Sequence, residues 1–281
     1  MKQFVPVVTS EAGACLTLAN WQEIGAKTLA YYLDAWLMKP GYALLNSLPN
    51  LRSYCGWKGT IVLNASLAPA KMDGIYTLRS RYDGSTVRIS SEELISLIIK
   101  LAPDLVVLPP GLAAYIVEQR IALPKTMQPF IPAKEFLESE YLGQSGVYLS
   151  YESTSSFENF LAQFEQLKAK PCYLSGHFDR QQAQLLLKEG VQWLETDKPA
   201  SDAFVGLVYG ETEDVGLVDN AIAEQHQPIY INCSCPTCAQ KFTKAYLHHL
   251  LLQTPLLCQR FLIQHNAHNY QMMVETLPDS K

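Results

Sequence analysis

Short apolar runs alternate with amphipathic segments along most of the chain, and that alternation restricts the fold more than any other feature. The runs read as strands are Gln3–Val8, Thr28–Tyr31, Thr60–Asn64, Leu105–Leu108, Val147–Ser150, Cys172–Ser175 and Trp193–Thr196. Between them the spacing predicts helices over Leu18–Ile24, Ser91–Leu101, Ser156–Lys168 and Arg180–Lys188. Ser90 and Ser91 precede Glu92 and Glu93, acids suited to the positive end of a helix, and Leu94, Leu97, Ile98 and Leu101 then repeat at helical spacing. Asp179 opens the run Arg180–Lys188 and Gly190 closes it. Asp83-Gly84, central in IYTLRSRYDGSTVRIS, reads as the turn of a β-hairpin. Strand–helix alternation with short connections is the pattern of an α/β parallel sheet, and 281 residues suit a TIM-like (β/α)8 barrel. From about Pro228 the pattern changes to a strand (Ile229–Asn232), a cysteine cluster and then mainly helix. The expected division is a barrel over 1–227 and a metal-binding subdomain over 228–281.

The cysteines carry the sharpest chemical signal. There are 7, an odd number; Cys15, Cys55, Cys172 and Cys258 are scattered and read as small buried side chains. Cys233, Cys235 and Cys238 fall within one C-x-C-x-x-C loop. Disulfide scaffolds are short and Cys-dense, which this chain is not, so the trio reads as a metal site. Three thiolates and one imidazole would close a tetrahedral zinc shell and leave no position for chemistry, making the site structural. Thr254 and Pro255 suit the start of a helix on which Leu257, Phe261 and His265 form one stripe. By spacing alone His248, His249 and His268 compete with His265 for the fourth position.

The net charge is -5, with 22 Lys+Arg against 27 Asp+Glu. That balance disfavours broad, non-specific nucleic-acid binding, which needs many phosphates neutralised. A mild basic bias between Lys39 and Arg88 remains. No run approaches the ~20 apolar residues of a bilayer span, and MKQFVPVVTSEAG lacks the form of a secretory signal. The expected location is the cytoplasm, with no membrane partner.

The stretch PIYINCSCPTCAQKFTKAYLHHLLLQTPLLCQRFLIQHNAHNY resembles the zinc subdomain of the tRNA-guanine transglycosylase (queuine tRNA-ribosyltransferase) family. These enzymes exchange a guanine in tRNA for queuine or another 7-deazaguanine. The resemblance rests on the C-x-C-x-T-C loop, the run Ala245–Leu250 and the pair His265-Asn266, with one residue inserted between Cys238 and Ala245. It extends to FVPVVTSEAGACLTLANWQEIGAKTLAYYLDAWLMKPG, to LRSRYDGSTVRISSEEL and to KPCYLSGHF, in order along the chain. It implies a (β/α)8 barrel with an attached zinc subdomain, and His265 as fourth ligand beside Cys233, Cys235 and Cys238. It also implies tRNA as a partner and a dimer in which one protomer performs the chemistry while the other positions tRNA. The helix bearing Tyr246, His248 and His249 is the contact surface by the same resemblance.

The active-site motifs depart from the family pattern. Its acid/base Asp, in Asp-Ser-Gly-Gly-Phe-Gln, is matched by Asn64, and an amide transfers no proton at neutral pH. The purine-contacting Phe-Asp-Glu becomes Pro109-Pro110-Gly111, and Val-Gln-Gly-Gly and Gly-Gly-Leu have no counterparts between Leu112 and Tyr151. That interval is short, so one barrel unit is expected to be reduced or rebuilt. The nucleophilic Asp is matched by Glu195, which keeps the carboxylate but shifts its oxygen by more than about 1 Å, enough to cost on the order of 100-fold. The arginines that follow it in the family are absent.

Two readings follow. One is a catalytically degenerate tRNA-binding or partner subunit, a homodimer or a heterodimer with a catalytic homologue. The other is a divergent enzyme of N-glycosidic bonds with Glu195 as nucleophile, Asp197 and Asp202 being lesser substitutes for it. That enzyme would need another acid/base group, for which Asp34, Asp73 and Asp104 are the nearest candidates. A pocket filled by Tyr31, Tyr32, Trp36 and Pro110 would favour the first reading.

Overall fold

The computed structural model describes residues 2–71, 73–80, 83–138 and 145–277. Eight strands share one sheet: β1 (Gln3–Val5), β2 (Thr28–Tyr32), β3 (Thr60–Asn64), β4 (Leu105–Val107), β5 (Gln128–Pro132), β6 (Gly146–Tyr151), β7 (Cys172–Gly176) and β8 (Trp193–Glu195). Their order is β1-β8-β7-β6-β5-β4-β3-β2, the strand sequence of a parallel, TIM-like (β/α) barrel. All eight strands are present among the described residues, and the unit expected to be reduced or rebuilt keeps its strand, β5. The economy falls on the connection after β5, whose described helix is only Ala133–Glu138.

β5 escapes a sequence reading because Pro129 and Pro132 argue against a strand. The ladder survives them because the bonds run through their neighbours. Gln128 N–H donates to the Asp104 carbonyl at 2.8 Å, and the Phe130 carbonyl accepts from Leu108 N–H at 2.9 Å. The reverse error occurs at Ile229–Asn232, expected as a strand. Ile229 is buried while Ile231 is 76% exposed, an alternation that mimics a strand, yet no partner strand adjoins it and Ile231-Asn232 form a turn. The helices Leu112–Glu118 and Lys198–Phe204 were also not anticipated.

The chain divides into two compact units. The first comprises Thr28–Ser175 and Val191–Trp193. Its strands pair in parallel register, Tyr32 with Asn64, Asn64 with Val107, Val107 with Phe130 and Phe130 with Gly146. Paired residues of parallel strands share a face, so these five form one row. The Tyr32 hydroxyl lies 3.4 Å from Ser175 Oγ, joining β2 to β7, strands that are not neighbours in the sheet. Such a contact can only cross the inner side, which fixes that row as inward-facing. The Phe130 ring packs on Tyr173 and on Trp193, with centroids 5.3 Å away in each case.

The hairpin Ile75–Arg79 with Thr86–Ser90 is antiparallel as expected; Arg81 and Tyr82 at its turn lie outside the described residues. The helix Ser91–Leu101 begins on a capping box in which Ser90 and Glu93 exchange hydrogen bonds.

The second unit contains the first 27 residues, Gly176–Gly190 and the chain from Leu194 onward. Its axis is the helix Pro255–Thr276, in which every residue from Leu262 to Ala267 is buried. A helix buried on all sides shows no amphipathic stripe. The expected stripe fails at its first member, since Leu257 is 48% exposed. Thr254 does not cap this helix either, for its hydroxyl donates to the Leu250 carbonyl at 3.3 Å. Of the scattered cysteines, Cys172 and Cys258 are buried as expected, whereas Cys15 and Cys55 are partly exposed.

Gly146 has no room for a side chain. A Cβ there would stand 2.4 Å from the Phe130 ring and 2.7 Å from the Pro171 carbonyl oxygen. Gly146→Ala is therefore expected to destabilise the chain by about 1–3 kcal/mol through overpacking, read as a lower denaturant midpoint. An unchanged midpoint would contradict the placement of Phe130 against β6.

Candidate functional site

Four side chains converge at one point of the second unit. Cys233, Cys235, Cys238 and His265 place their ligand atoms within 4.8 Å of one another. His265 Nδ1 stands 3.7 Å from Cys233 Sγ, 3.4 Å from Cys235 Sγ and 3.3 Å from Cys238 Sγ. In a tetrahedral zinc site with ordinary Zn–S and Zn–N bonds, a sulfur–nitrogen edge measures about 3.6 Å. The donor set fits a metal both in chemistry and in spacing.

Local structure explains the convergence. Cys235 precedes the short helix Pro236–Ala239, and its sulfur accepts the Cys238 N–H at 3.2 Å. Thr237, fully inside the loop, donates to the Phe261 carbonyl at 2.7 Å and ties the loop to the long helix one turn before His265. The other face of the imidazole is also fixed, with Nε2 at 2.7 Å from the Tyr209 carbonyl oxygen. Nε2 therefore carries the proton and Nδ1 faces the sulfurs, the arrangement that orients a ligating histidine. Asn266 completes the frame: Oδ1 accepts from Tyr209 N–H at 2.9 Å, and Nδ2 donates to the Leu207 and Pro199 carbonyls at 2.9 and 3.2 Å.

The thiols hold protons unequally. Hydrogen bonds from Cys235 and Cys238 keep Cys233 well below the usual thiol range, while those from Cys233 and Cys235 push Cys238 well above it. Burial opposes charge on His265, but its bonds to Cys233 and Cys235 outweigh that and raise it to about 10. A divalent cation at the centre would let all three sulfurs ionise together.

The competing histidines are excluded by position. His248 is buried with Nδ1 2.7 Å from the Leu217 carbonyl, which also removes it from the expected contact surface. His249 is exposed, and His268 Nε2 lies 3.2 Å from Ser234 Oγ.

Asn64 ends β3 in the inward row, and its Oδ1 accepts from Ser66 N–H at 3.0 Å. The acid/base candidates elsewhere have structural tasks. Asp104 pairs with Arg52 at 2.6 Å and accepts from Ile61 N–H at 2.7 Å. Asp34 and Asp73 are exposed and bond to backbone N–H groups beside them. Of the expected pocket fillers, Tyr32 reaches inward, whereas Tyr31 stacks on Trp36 with centroids 4.7 Å apart. The Pro110 carbonyl accepts from the Tyr76 hydroxyl at 3.0 Å, and Gly111 (φ 84°) opens the next helix, so Pro109-Pro110-Gly111 serves as a turn.

In the second unit, Glu195 ends β8 with no exposed surface. Asp202 pairs with Lys198 at 2.5 Å and accepts from the Tyr209 hydroxyl at 2.9 Å. Of the described cavities, one is lined by Asn20, Glu23, Gln240 and Arg260, the other by Arg180, Gln184, Asn269 and Met272; neither includes Asn64 or Glu195. The sequence reading gave least weight to Asp197 and none to Ser10, though the two are hydrogen-bonded at 2.7 Å. Ser10 is distant in sequence and carries no motif.

Replacing Cys235 by Ser or His265 by Ala is expected to reduce bound metal from one equivalent to about a tenth or less, measured by elemental analysis. Purified wild-type chain that is metal-free and fully folded would refute the site. Asn266→Ala, which strands buried backbone groups, is expected to cost at least about 2 kcal/mol in equilibrium unfolding.

Comparison with known proteins agrees with this architecture. The family described as queuine tRNA-ribosyltransferase matches residues 140–279. The queuine tRNA-ribosyltransferase accessory subunit 2 of Drosophila yakuba is 33% identical over 132 residues, which cover 44% of this chain and 31% of that protein. The queuine tRNA-ribosyltransferase of Thermotoga neapolitana is 24% identical over 307 aligned positions, covering 94% of this chain and 82% of that protein. That of Nitrosomonas eutropha is also 24% identical, covering 98% and 87%. With its barrel, its Cys3His cluster and these relatives, the chain is a divergent member of the queuine tRNA-ribosyltransferase family.

Proposed function

We propose that this chain is a transglycosylase-like protein of tRNA queuosine or 7-deazaguanine modification, acting as a catalytically degenerate tRNA-binding or partner subunit. The observation that carries this reading is the inward row of the first unit. Asn64 lies in that row, and the resemblance matches it to the family's proton-transfer group, a step an amide cannot supply. The Tyr32 hydroxyl reaching Ser175 further occupies the inner side. The likeness to an accessory subunit supports the same assignment.

In this reading zinc is the metal held by Cys233, Cys235, Cys238 and His265, and its task is structural. It would fix the thiol loop to the long helix within a subdomain over 228–281, attached to a barrel over 1–227. The partner is a second copy or a catalytic homologue. Tyr246 (48% exposed) and Leu252 on one helix, and Leu256 at the start of the next, offer apolar contact area on that subdomain. The place of action is the cytoplasm, with tRNA; among the described residues no helix is long and apolar enough to cross a membrane.

A second reading, a divergent enzyme with Glu195 as nucleophile, is favoured by one observation. Two carboxyl groups, Glu195 and Asp197, stand together at the end of β8. The test is incubation of the chain with tRNA and labelled guanine, alone and with a catalytic homologue. The expected outcome is no incorporation alone and stimulated incorporation with the homologue. Incorporation by the chain alone, or a denaturation-resistant tRNA adduct, abolished in either case by Glu195→Gln, would overturn the partner-subunit reading.

A further inference from the structure

A TIM-like barrel carries its chemistry at the C-terminal ends of its strands, and the end of β8 holds a carboxyl pair. Glu195 is the last strand residue. Asp197 follows at the threshold of helix Lys198–Phe204, yet its side chain bonds to none of that helix's N–H groups. An aspartate at a helix start ordinarily caps it. Here Oδ1 instead accepts from Ser10 Oγ at 2.7 Å.

Ser10 lies in the loop after β1, which meets β8 through the bond from Thr196 N–H to the Val5 carbonyl at 3.1 Å. Its hydroxyl accepts from Gly13 N–H at 2.8 Å and has a second acceptor, the Val7 carbonyl at 3.2 Å. One hydroxyl donates one proton, so Ser10 can serve Asp197 or Val7 but not both. With Asp197 ionised, Ser10 donates to its carboxylate. With Asp197 protonated, the carboxyl donates to Ser10 Oγ, and Ser10 turns to Val7. In both proton states the Ser10–Asp197 hydrogen bond is kept, and only the Val7 carbonyl gains or loses the Ser10 proton. Gly13 permits this close turn, since a Cβ there would lie 1.9 Å from the Val7 oxygen and 2.9 Å from Ser10 Oγ.

Lys198 and Asp202, on Asp197's own helix, engage each other. His177, after β7, faces that same couple. Glu195 is the charged neighbour that acts on Asp197, while Ser10 is its polar one. Burial pushes Asp197 up to about 7; the Ser10 hydrogen bond opposes the rise and the Glu195 charge adds to it.

We propose that Asp197 and Ser10 form a proton-binding site beside Glu195, in which Asp197 takes up the proton and Ser10 changes partner with it. Its use rests on the second reading above, in which Asp197 is a positioning residue beside Glu195. Its existence does not depend on that reading.

The test is carboxyl-resolved NMR of the full chain with labelled aspartate, between pH 4 and 9. One aspartate is expected to titrate near pH 7 and to vanish from the spectrum of Asp197→Asn. In Ser10→Ala its midpoint should move upward, because the bond favouring the carboxylate is gone. Stability gives an independent readout. A folded pKa above the ordinary aspartate value of about 3.9 means full stability below about pH 4. That contribution is lost as pH rises to about 7, and Asp197→Asn should abolish this part of the slope. The proposal is overturned if every aspartate titrates below about pH 5, or if Ser10→Ala leaves the midpoint unmoved. Base incorporation reports separately: a near-neutral Asp197 in an inactive chain upholds the site while the nucleophile reading fails. An activity sensitive to Glu195→Gln whose pH profile Asp197→Asn leaves unmoved would remove the positioning role.

Discussion

The second unit depends on one imidazole held from both sides. His265 presents Nδ1 to three sulfurs and gives its Nε2 proton to the Tyr209 carbonyl at 2.7 Å. Tyr209 is in turn held at every polar atom. Its N–H reaches Asn266, its hydroxyl reaches Asp202, and its ring lies beneath Arg180 at 4.7 Å, itself paired with Asp214 at 2.5 Å. One residue pair on the long helix, His265-Asn266, thus joins the thiol loop, the short hairpin around Tyr209 and the helix after β8. A metal here is more than a local staple, because the ring it fixes orients the backbone that leads back to Asp202 and Lys198.

The first unit shows a different economy. Its five-residue row from Tyr32 to Gly146 is governed by fit. The Phe130 ring occupies the space left by the missing Gly146 side chain, and the aromatic cluster with Tyr173 and Trp193 extends that packing. Asparagine and aspartate are nearly isosteric, so this row would accept either at position 64 with no loss of shape. A barrel can therefore keep its packing while losing a proton-transfer group. A closed four-ligand metal shell cannot lose a ligand so cheaply, as each donor is fixed by the geometry of the other three. That difference fits a chain whose Cys3His cluster is complete.

Much of this was legible from the residues because the signals are local. The capping boxes at Ser90 and Asp179, the hairpin around Asp83-Gly84 and the strand–helix rhythm depend on neighbours a few positions apart. The C-x-C-x-x-C loop is likewise complete within one turn. Where reading failed, the cause was tertiary. β5 forms despite two prolines because bonds at Gln128 and Phe130 carry the ladder. Ile229–Asn232 alternates like a strand but turns, since its chain must deliver Cys233 to His265. The long helix lacks an amphipathic stripe because its middle, Leu262 to Ala267, is buried on every side.

What the sequence alone determined is the fold class and the clustering of three thiols: each is a matter of residue identity and short spacing. Tertiary structure decided which histidine meets the sulfurs, since His248, His249, His265 and His268 are equivalent in composition and differ only in the face they present. It also decided that Asp197 turns from its helix to Ser10, 187 residues away in the chain. No local pattern encodes that contact, because it exists only where β8 comes to lie beside β1.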